Sequence, residues 1–282
     1  MKKVLVTGSQ GQLGHCIREI AADYPQLNFV FTDKDELDIT DSTAVAQFLA
    51  SKKFDYCINA AAYTLVEQAE EDEETAYLVN AKAAGILAGE CDRSDCVLIH
   101  ISTDYVFDGK KTLPYTEDDP TAPLSVYGAS KLAGERLVQK NCRKHFIFRT
   151  SWLYSLYGHN FLLSISKWLA EGRSLNITTE QTGTPTNAHE LSSKVLGLIS
   201  GQNQAYGLYH LSNEGEATWY DFARQIAINT AGVDSSLIGS VDHYPTKARR
   251  PDYSVLSNER AKNALNMVMD PWEVSLQKLL ER

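Results

Sequence analysis

Short β-branched apolar runs alternate with helical patterns through the first 150 residues: "KVLVTG", then residues 12–22; "NFVFTD", then 42–52; "DYCINAAA", then 73–93; then "CVLIHIS". A strand that is apolar on both faces must be covered on both faces, and helices between such strands force parallel pairing through crossovers. The fold class is therefore α/β, a doubly wound parallel sheet. After "HFIFRTSW" the alternation weakens. A helix is expected around Leu162 to Ala170, followed by the turn-rich "EQTGTPT"; "GLYHLSN" restores an apolar strand, a helix follows from Thr218, and the tail reads as irregular, basic and proline-bearing. A smaller C-terminal lobe is expected from these later segments.

The 282 residues are 43% hydrophobic and 22% charged, a profile that excludes a disordered chain. The formal net charge is −9, and the acidic run Glu67 to Glu74 has no base among it, so no broad basic face for nucleic acid can be read. The cluster Lys247, Arg249 and Arg250 leaves room for a small anion only. Five cysteines (Cys16, Cys57, Cys91, Cys96, Cys142) form no CxxC pair and are expected to be buried reduced thiols. No apolar run approaches membrane-spanning length, and Met1, Lys2 and Lys3 lead at once into a strand, too briefly for a signal peptide. A cytoplasmic protein without membrane contact is expected.

"VLVTGSQGQLGHCI" sets Gly8, Gly11 and Gly14 between the first strand and the first helix. Glycine there allows a tight turn, backbone approach to a pyrophosphate and close packing of helix on strand, while the helix N-terminus favours the anion. With this turn the sheet reads as Rossmann-like. The expected dinucleotide contacts are Gly8, Gln10, Gly11, Gln12, Leu13 and Gly14 from the turn, Asp33 at the end of the second strand, Asp38 and Ile39, and Ala60, Ala61 and Ala62 after the third. Asp33 suits a ribose hydroxyl and the adjacent Lys34 a 2′-phosphate, so NADPH and NADH both stay open. Asp38 serves either the adenine or the cap of the next helix; the small residues of "NAAA" either pass a cofactor or simply pack closely.

"LSVYGASKLAGE" places Tyr127 and Lys131 four residues apart, on one helical face. A free phenol titrates near 10, about three units too high to carry protons well at neutral pH. A neighbouring ammonium would favour the phenolate and lower it. "HISTDYVFDG" supplies Thr103 and Asp104 at the end of the fourth strand, where open α/β sheets bind ligands and a hydroxyl can polarise a carbonyl. Thr103, Asp104, Tyr127 and Lys131 thus make a candidate carbonyl-reduction site, with Tyr127 and Lys131 also against the cofactor. The organisation that follows is a dinucleotide-binding domain over residues 1–152, with a returning segment near 186–213, and a substrate lobe over 153–282.

The spacing GxxGxxG resembles the short-chain dehydrogenase/reductase superfamily. "TGSQGQLG", "NAAAYT", "STDYVFDG", "PLSVYGASKLAGE", "FRTSWLY", "TPT" and "RPDYSVL" together resemble the dTDP-4-dehydrorhamnose reductase family along nearly the whole chain. That resemblance implies reduction of a dTDP-linked 4-keto-6-deoxy sugar by NADPH or NADH, the last step of dTDP-L-rhamnose formation. It implies Thr103 as the carbonyl hydroxyl, Tyr127 as the acid and Lys131 as its helper; Asp104, Trp152 and Thr184 at the sugar; and Arg250 as a diphosphate clamp. A core tryptophan and a solvated arginine are the plain readings of Trp152 and Arg250. The chain departs from the family at Leu65, Glu67 and Gln68, where Ala, Asp and Lys are usual. Some members dimerise through magnesium held by glutamates. Here His15 stands at the first of those positions and the tail ends at Glu281 and Arg282, although Glu190 is present, so a monomer without bound metal is expected. Two other functions stay open: a non-catalytic subunit resembling the regulatory subunit of methionine adenosyltransferase, and an epimerase or dehydratase that recycles NAD.

Overall fold

A computed structural model describes residues 1–230 and 232–282 of the chain. Strands β1 (Lys2–Thr7), β2 (Leu27–Thr32), β3 (Tyr56–Asn59), β4 (Val97–Thr103), β5 (His145–Thr150) and β6 (Gly207–His210) form one sheet in the order β6-β5-β4-β3-β1-β2. Every pairing is parallel. The order reverses at β1, with β2 on one side and β3 on the other, so the crevice beyond the carboxyl ends of β1 and β3 is the switch point at which such sheets bind ligands.

The principal helices are α1 (Gln12–Ile20), α2 (Ser42–Lys52), α3 (Ala84–Arg93), α4 (Val126–Asn141), α5 (Phe161–Ala170), α6 (Ala188–Ser200), α7 (Trp219–Asn229) and α8 (Trp272–Leu280). Alternate residues of each strand enter opposite cores, as the pleat requires. Val4, Val6, Ile58 and Ile99 pack with Ile17 of α1 and Leu191 and Val195 of α6. Leu5, Cys57, Leu98 and Ile147 pack on the other face with Leu49 of α2, Leu87 of α3 and Val138 of α4. Each such side chain contributes about 1.5–3 kcal/mol on burial, which explains why the strands read as uninterrupted apolar runs. All five cysteines are buried and free.

A third core joins α5, α7 and α8 through Leu162, Ile165, Phe222, Ile226, Trp272 and Leu276, apart from the sheet. The helix expected from Thr218 starts one residue on, at Trp219, with Thr218 and Asp221 capping each other's backbone amides. Between these elements the chain returns to the sheet: α6 packs beside α1, and β6 pairs with β5. The tail is not irregular. It forms a helix at Glu259–Leu265 and then α8, and Ala261, Leu265, Met267 and Met269 pack back into the first core. Pro271 misleads a reading of the sequence because it stands at the cap of α8, where its missing N–H costs nothing.

The segment before α3 is wound more loosely, as a π turn at Leu78–Ala83. Its Asn80 carbonyl is seated on α4 at Gly134, where an added Cβ would stand 2.1 Å away; at Gly128 a Cβ would stand 2.2 Å from the Tyr105 carbonyl. Glycine inside a helix costs about 1 kcal/mol relative to alanine. In "YGASKLAGE" that cost permits backbone to approach backbone on two sides of the helix that carries Tyr127 and Lys131.

Candidate active site

The crevice at the switch point holds a cavity of about 440 Å³, lined by Gly8, Gln10, Gly11, Asp33, Lys34, Leu37, Asp38, Ile39, Thr40, Ala60, Ala61, Ala62, Thr75, Leu78 and Val79. Gly8 has φ +65°, and a Cβ on it would lie 2.5 Å from the Ala61 amide nitrogen, so the turn after β1 touches the segment after β3 through bare backbone. Asp33 accepts from the Gln10 amide at 2.9 Å and from its neighbour Lys34 at 2.8 Å, which sets its carboxylate against the glycine turn. Helices α2, α4, α5, α6 and α7 each begin with a capping side chain. By contrast α1 starts at Gly11 with no such cap and no acid in its first turn. Its first amides are left for an anion, and the cradle of Gly8, Gly11 and Ala60–Ala62 fits a dinucleotide pyrophosphate.

Not every expected cofactor residue faces this cavity. Leu13 is buried in the first core, and Gln12 bridges to Leu153 O and Ser155 through its side chain. Asp38 does not cap α2: Asp41 does so, accepting from Thr43 N and Ala44 N, while Asp38 accepts from Thr40 and lines the cavity.

The second group of residues gathers where β4 meets the start of α4. Ser125 caps α4 by accepting from Gly128 N at 3.2 Å, and Glu70 accepts from Val126 N at 2.8 Å, which fixes the turn carrying Tyr127. Thr103 Oγ1 donates to Asp104 Oδ1 at 3.1 Å. Asp104 Oδ2 is buried with no partner among the described residues, and burial pushes this carboxyl up to about 6, with the nearby Ser254 and Thr103 hydroxyls pulling it down. The Tyr127 phenol is pushed above its ordinary value by burial, with the neighbouring Thr103 hydroxyl pulling the other way and Asp104 and Tyr105 adding to the rise. Burial lowers Lys131 to about 8, partly offset by Glu135, and its ammonium donates to the Ile101 carbonyl at 2.6 Å.

Lys131 is not among the groups that move the phenol, which burial dominates. The buried ammonium is engaged by the Ile101 carbonyl, and the phenol experiences mainly desolvation.

Trp152 adopts φ +43° and stacks face to face on Trp219, with centroids 3.6 Å apart and planes within 2°; a Cβ on Gly183 would fall 2.6 Å from its ring. A left-handed tryptophan costs about 1–3 kcal/mol and persists only where its surroundings hold it. Thr184 is fully buried and gives its hydroxyl to Gly215 O at 2.7 Å, so it braces that segment and brings no free hydroxyl to a ligand. Arg250 donates to Glu67 at 2.6 Å and to the Tyr105 hydroxyl at 3.3 Å.

Three residues here escaped the sequence reading. Asn80 donates to Tyr63 O and to Ser130 Oγ and accepts from Tyr63 N, tying the segment after β3 to α4. Its signal is a lone amide inside the apolar run "LVNAKAA". Tyr105 meets Tyr127 edge-on at 5.6 Å. Trp219, the partner of Trp152, sits in "TWYDF" with only its aromatic character to mark it.

The model for the RmlD substrate binding domain matches residues 1–282. The dTDP-4-dehydrorhamnose reductase of Aggregatibacter actinomycetemcomitans is 37% identical over 99% of this chain and 98% of its own length. The enzyme of that name from Escherichia coli K12 is 36% identical over 98% of this chain and 96% of its own. Among solved structures, dTDP-4-dehydrorhamnose reductase from Bacillus anthracis, in complex with NADP, superimposes with a TM-score of 0.93 at 35% identity over 100% of this chain and 99% of its own.

Proposed function

We infer the chemistry from family membership: the chain belongs to the dTDP-4-dehydrorhamnose reductase family, matched from end to end. It is an NADPH-dependent oxidoreductase that reduces the 4-keto group of dTDP-6-deoxy-L-lyxo-4-hexulose to give dTDP-L-rhamnose. When bound, NADPH supplies the hydride. The observation that carries the catalytic assignment is that Thr103, at the end of β4, neighbours Tyr127 at the start of α4, with Lys131 four residues on along the same helix.

In this reading Gly8, Gly11 and the first amides of α1 hold the pyrophosphate, Asp33 a ribose hydroxyl and Lys34 the 2′-phosphate. Thr103 donates to the substrate carbonyl oxygen and polarises it. Tyr127 delivers the proton to that oxygen, and Lys131, one turn along α4, would hold the ribose and stabilise the phenolate left behind. The acceptor Asp104 Oδ2 is set to take a sugar hydroxyl, and the Trp152–Trp219 stack would supply an aromatic wall beside the sugar. The sheet body, with the returning segment near 186–213, carries the cofactor, and the part of 153–282 built around α5, α7 and α8 carries the nucleotide sugar. Thr103→Val is expected to lower kcat about 100-fold while NADPH titrates as before; an unchanged kcat would remove Thr103 as the carbonyl donor.

We further propose that the chain works as a monomer in the cytoplasm. Glu190 takes Asn213 Nδ2 at 2.6 Å, Asp270 N at 2.7 Å and Ser275 Oγ at 2.6 Å, so its carboxylate is committed inside the fold. His15 stacks on Tyr157 at 5.2 Å. The free thiols suit a reducing compartment, and no helix among the described residues is long and apolar enough to cross a membrane. The light-scattering mass should be that of one chain with or without magnesium. A mass that doubles on adding the metal would contradict the proposal.

A further inference from the structure

The acidic run beginning at Glu67 has no base beside it in the sequence, yet in the fold it is answered from 180 residues away. Glu67 Oε1 accepts from Arg250 Nη2 at 2.6 Å, and its Oε2 accepts from the backbone N–H groups of Lys247 at 2.7 Å and Ala248 at 3.0 Å. Glu71 pairs with the Lys247 ammonium. Two consecutive amides and a guanidinium converging on one anion are the donor set of a phosphate site. Here a carboxylate of the chain itself fills it.

Arg250 has more donors than Glu67 uses. Its Nη1 reaches the Tyr105 hydroxyl, and its Nε is buried with no partner among the described residues. The ring of Tyr105 in turn meets that of Tyr127, so this anion site stands one side chain from the proposed proton donor.

Resting on the reductase reading, we propose that Glu67 is a built-in occupant of the diphosphate site formed by Lys247 N, Ala248 N and Arg250, and that the diphosphate of the dTDP sugar displaces it on binding. Glu67 is suited to leave. Its side chain is 41% exposed on the single helical turn Val66–Ala69, so it can swing into water, where an ion pair of this kind holds weakly. The diphosphate is suited to enter, since its additional oxygens can reach the Arg250 donors that one carboxylate leaves unused. Glu67 therefore acts as a competitor: it keeps the Lys247–Arg250 segment folded before the substrate arrives and lowers the affinity for any anion that must replace it.

The test is calorimetric titration of the full chain with dTDP, which needs no turnover. Glu67→Gln keeps the shape of the side chain and removes its charge. It is expected to bind dTDP about tenfold more tightly than the unaltered chain, and adding Arg250→Ala should abolish the gain. Equal or weaker binding by Glu67→Gln would make Glu67 a support for Arg250 and overturn the proposal. Absence of dTDP binding by the unaltered chain would instead overturn the reductase reading beneath it.

Discussion

Tyr127→Phe is expected to keep NADPH affinity and to lose turnover by about 1,000-fold, inside the range that a positioned general acid supplies. The hydroxyl removed is the only part of that side chain placed to give up a proton. The ring stays: its edge contact with Tyr105 and the Ser125 cap of α4 do not depend on the oxygen. Binding should therefore be read by titrating the nicotinamide fluorescence and turnover separately by stopped flow. Loss of both together would mean that the phenol orders the cofactor. Retention of both would remove Tyr127 as the acid. Burial raises the phenol, which suits a group that gives its proton only to a positioned substrate oxygen.

The second large effect lies one helical turn beyond Lys131. Glu135 and Arg149 have side chains 2% and 3% exposed. They pair through Nε to Oε1 at 2.9 Å and Nη2 to Oε2 at 2.7 Å, with Ser102 Oγ donating to Oε1 at 2.5 Å. His210 Nδ1 donates to Tyr115 O while its Nε2 faces Arg149, and burial first, then Arg149, lower it to about 3, so it stays neutral. Glu135→Ala leaves a buried guanidinium without its counter-charge and is expected to cost about 3–5 kcal/mol in urea unfolding. Replacing both partners, as in Glu135→Leu with Arg149→Met, should recover most of that loss. A single variant within about 1 kcal/mol of the parent would show that the pair behaves as a surface pair does. Glu135 also raises Lys131, so its loss lets the ammonium discharge at a lower pH.

The elements that could be read along the chain are those encoded by neighbours in sequence. The strands of the sheet, the glycine turn and the Tyr127–Lys131 face all depend on residues within about one element of each other, where periodicity and steric need leave a direct mark. Helix α2 runs over the residues expected, although its cap is Asp41 rather than Asp38. The features that escaped depend on contacts between segments far apart in the chain. Glu67 meets Arg250 across 183 positions, and Trp152 finds Trp219 only when α7 packs on α5. Thr184 reads as a free hydroxyl until Gly215 is brought beside it. The π turn at Leu78–Ala83 leaves no periodic trace, because one extra residue per turn over six positions is smaller than the scatter of an amphipathic pattern.

The most direct measurement of the central claim is the decay of nicotinamide absorbance when the purified chain meets dTDP-6-deoxy-L-lyxo-4-hexulose, run in parallel with NADPH and NADH. The predicted result is substrate-dependent decay with NADPH, faster than or equal to that with NADH, and dTDP-L-rhamnose as the product. No decay with either, from protein shown to bind the cofactor, would contradict it.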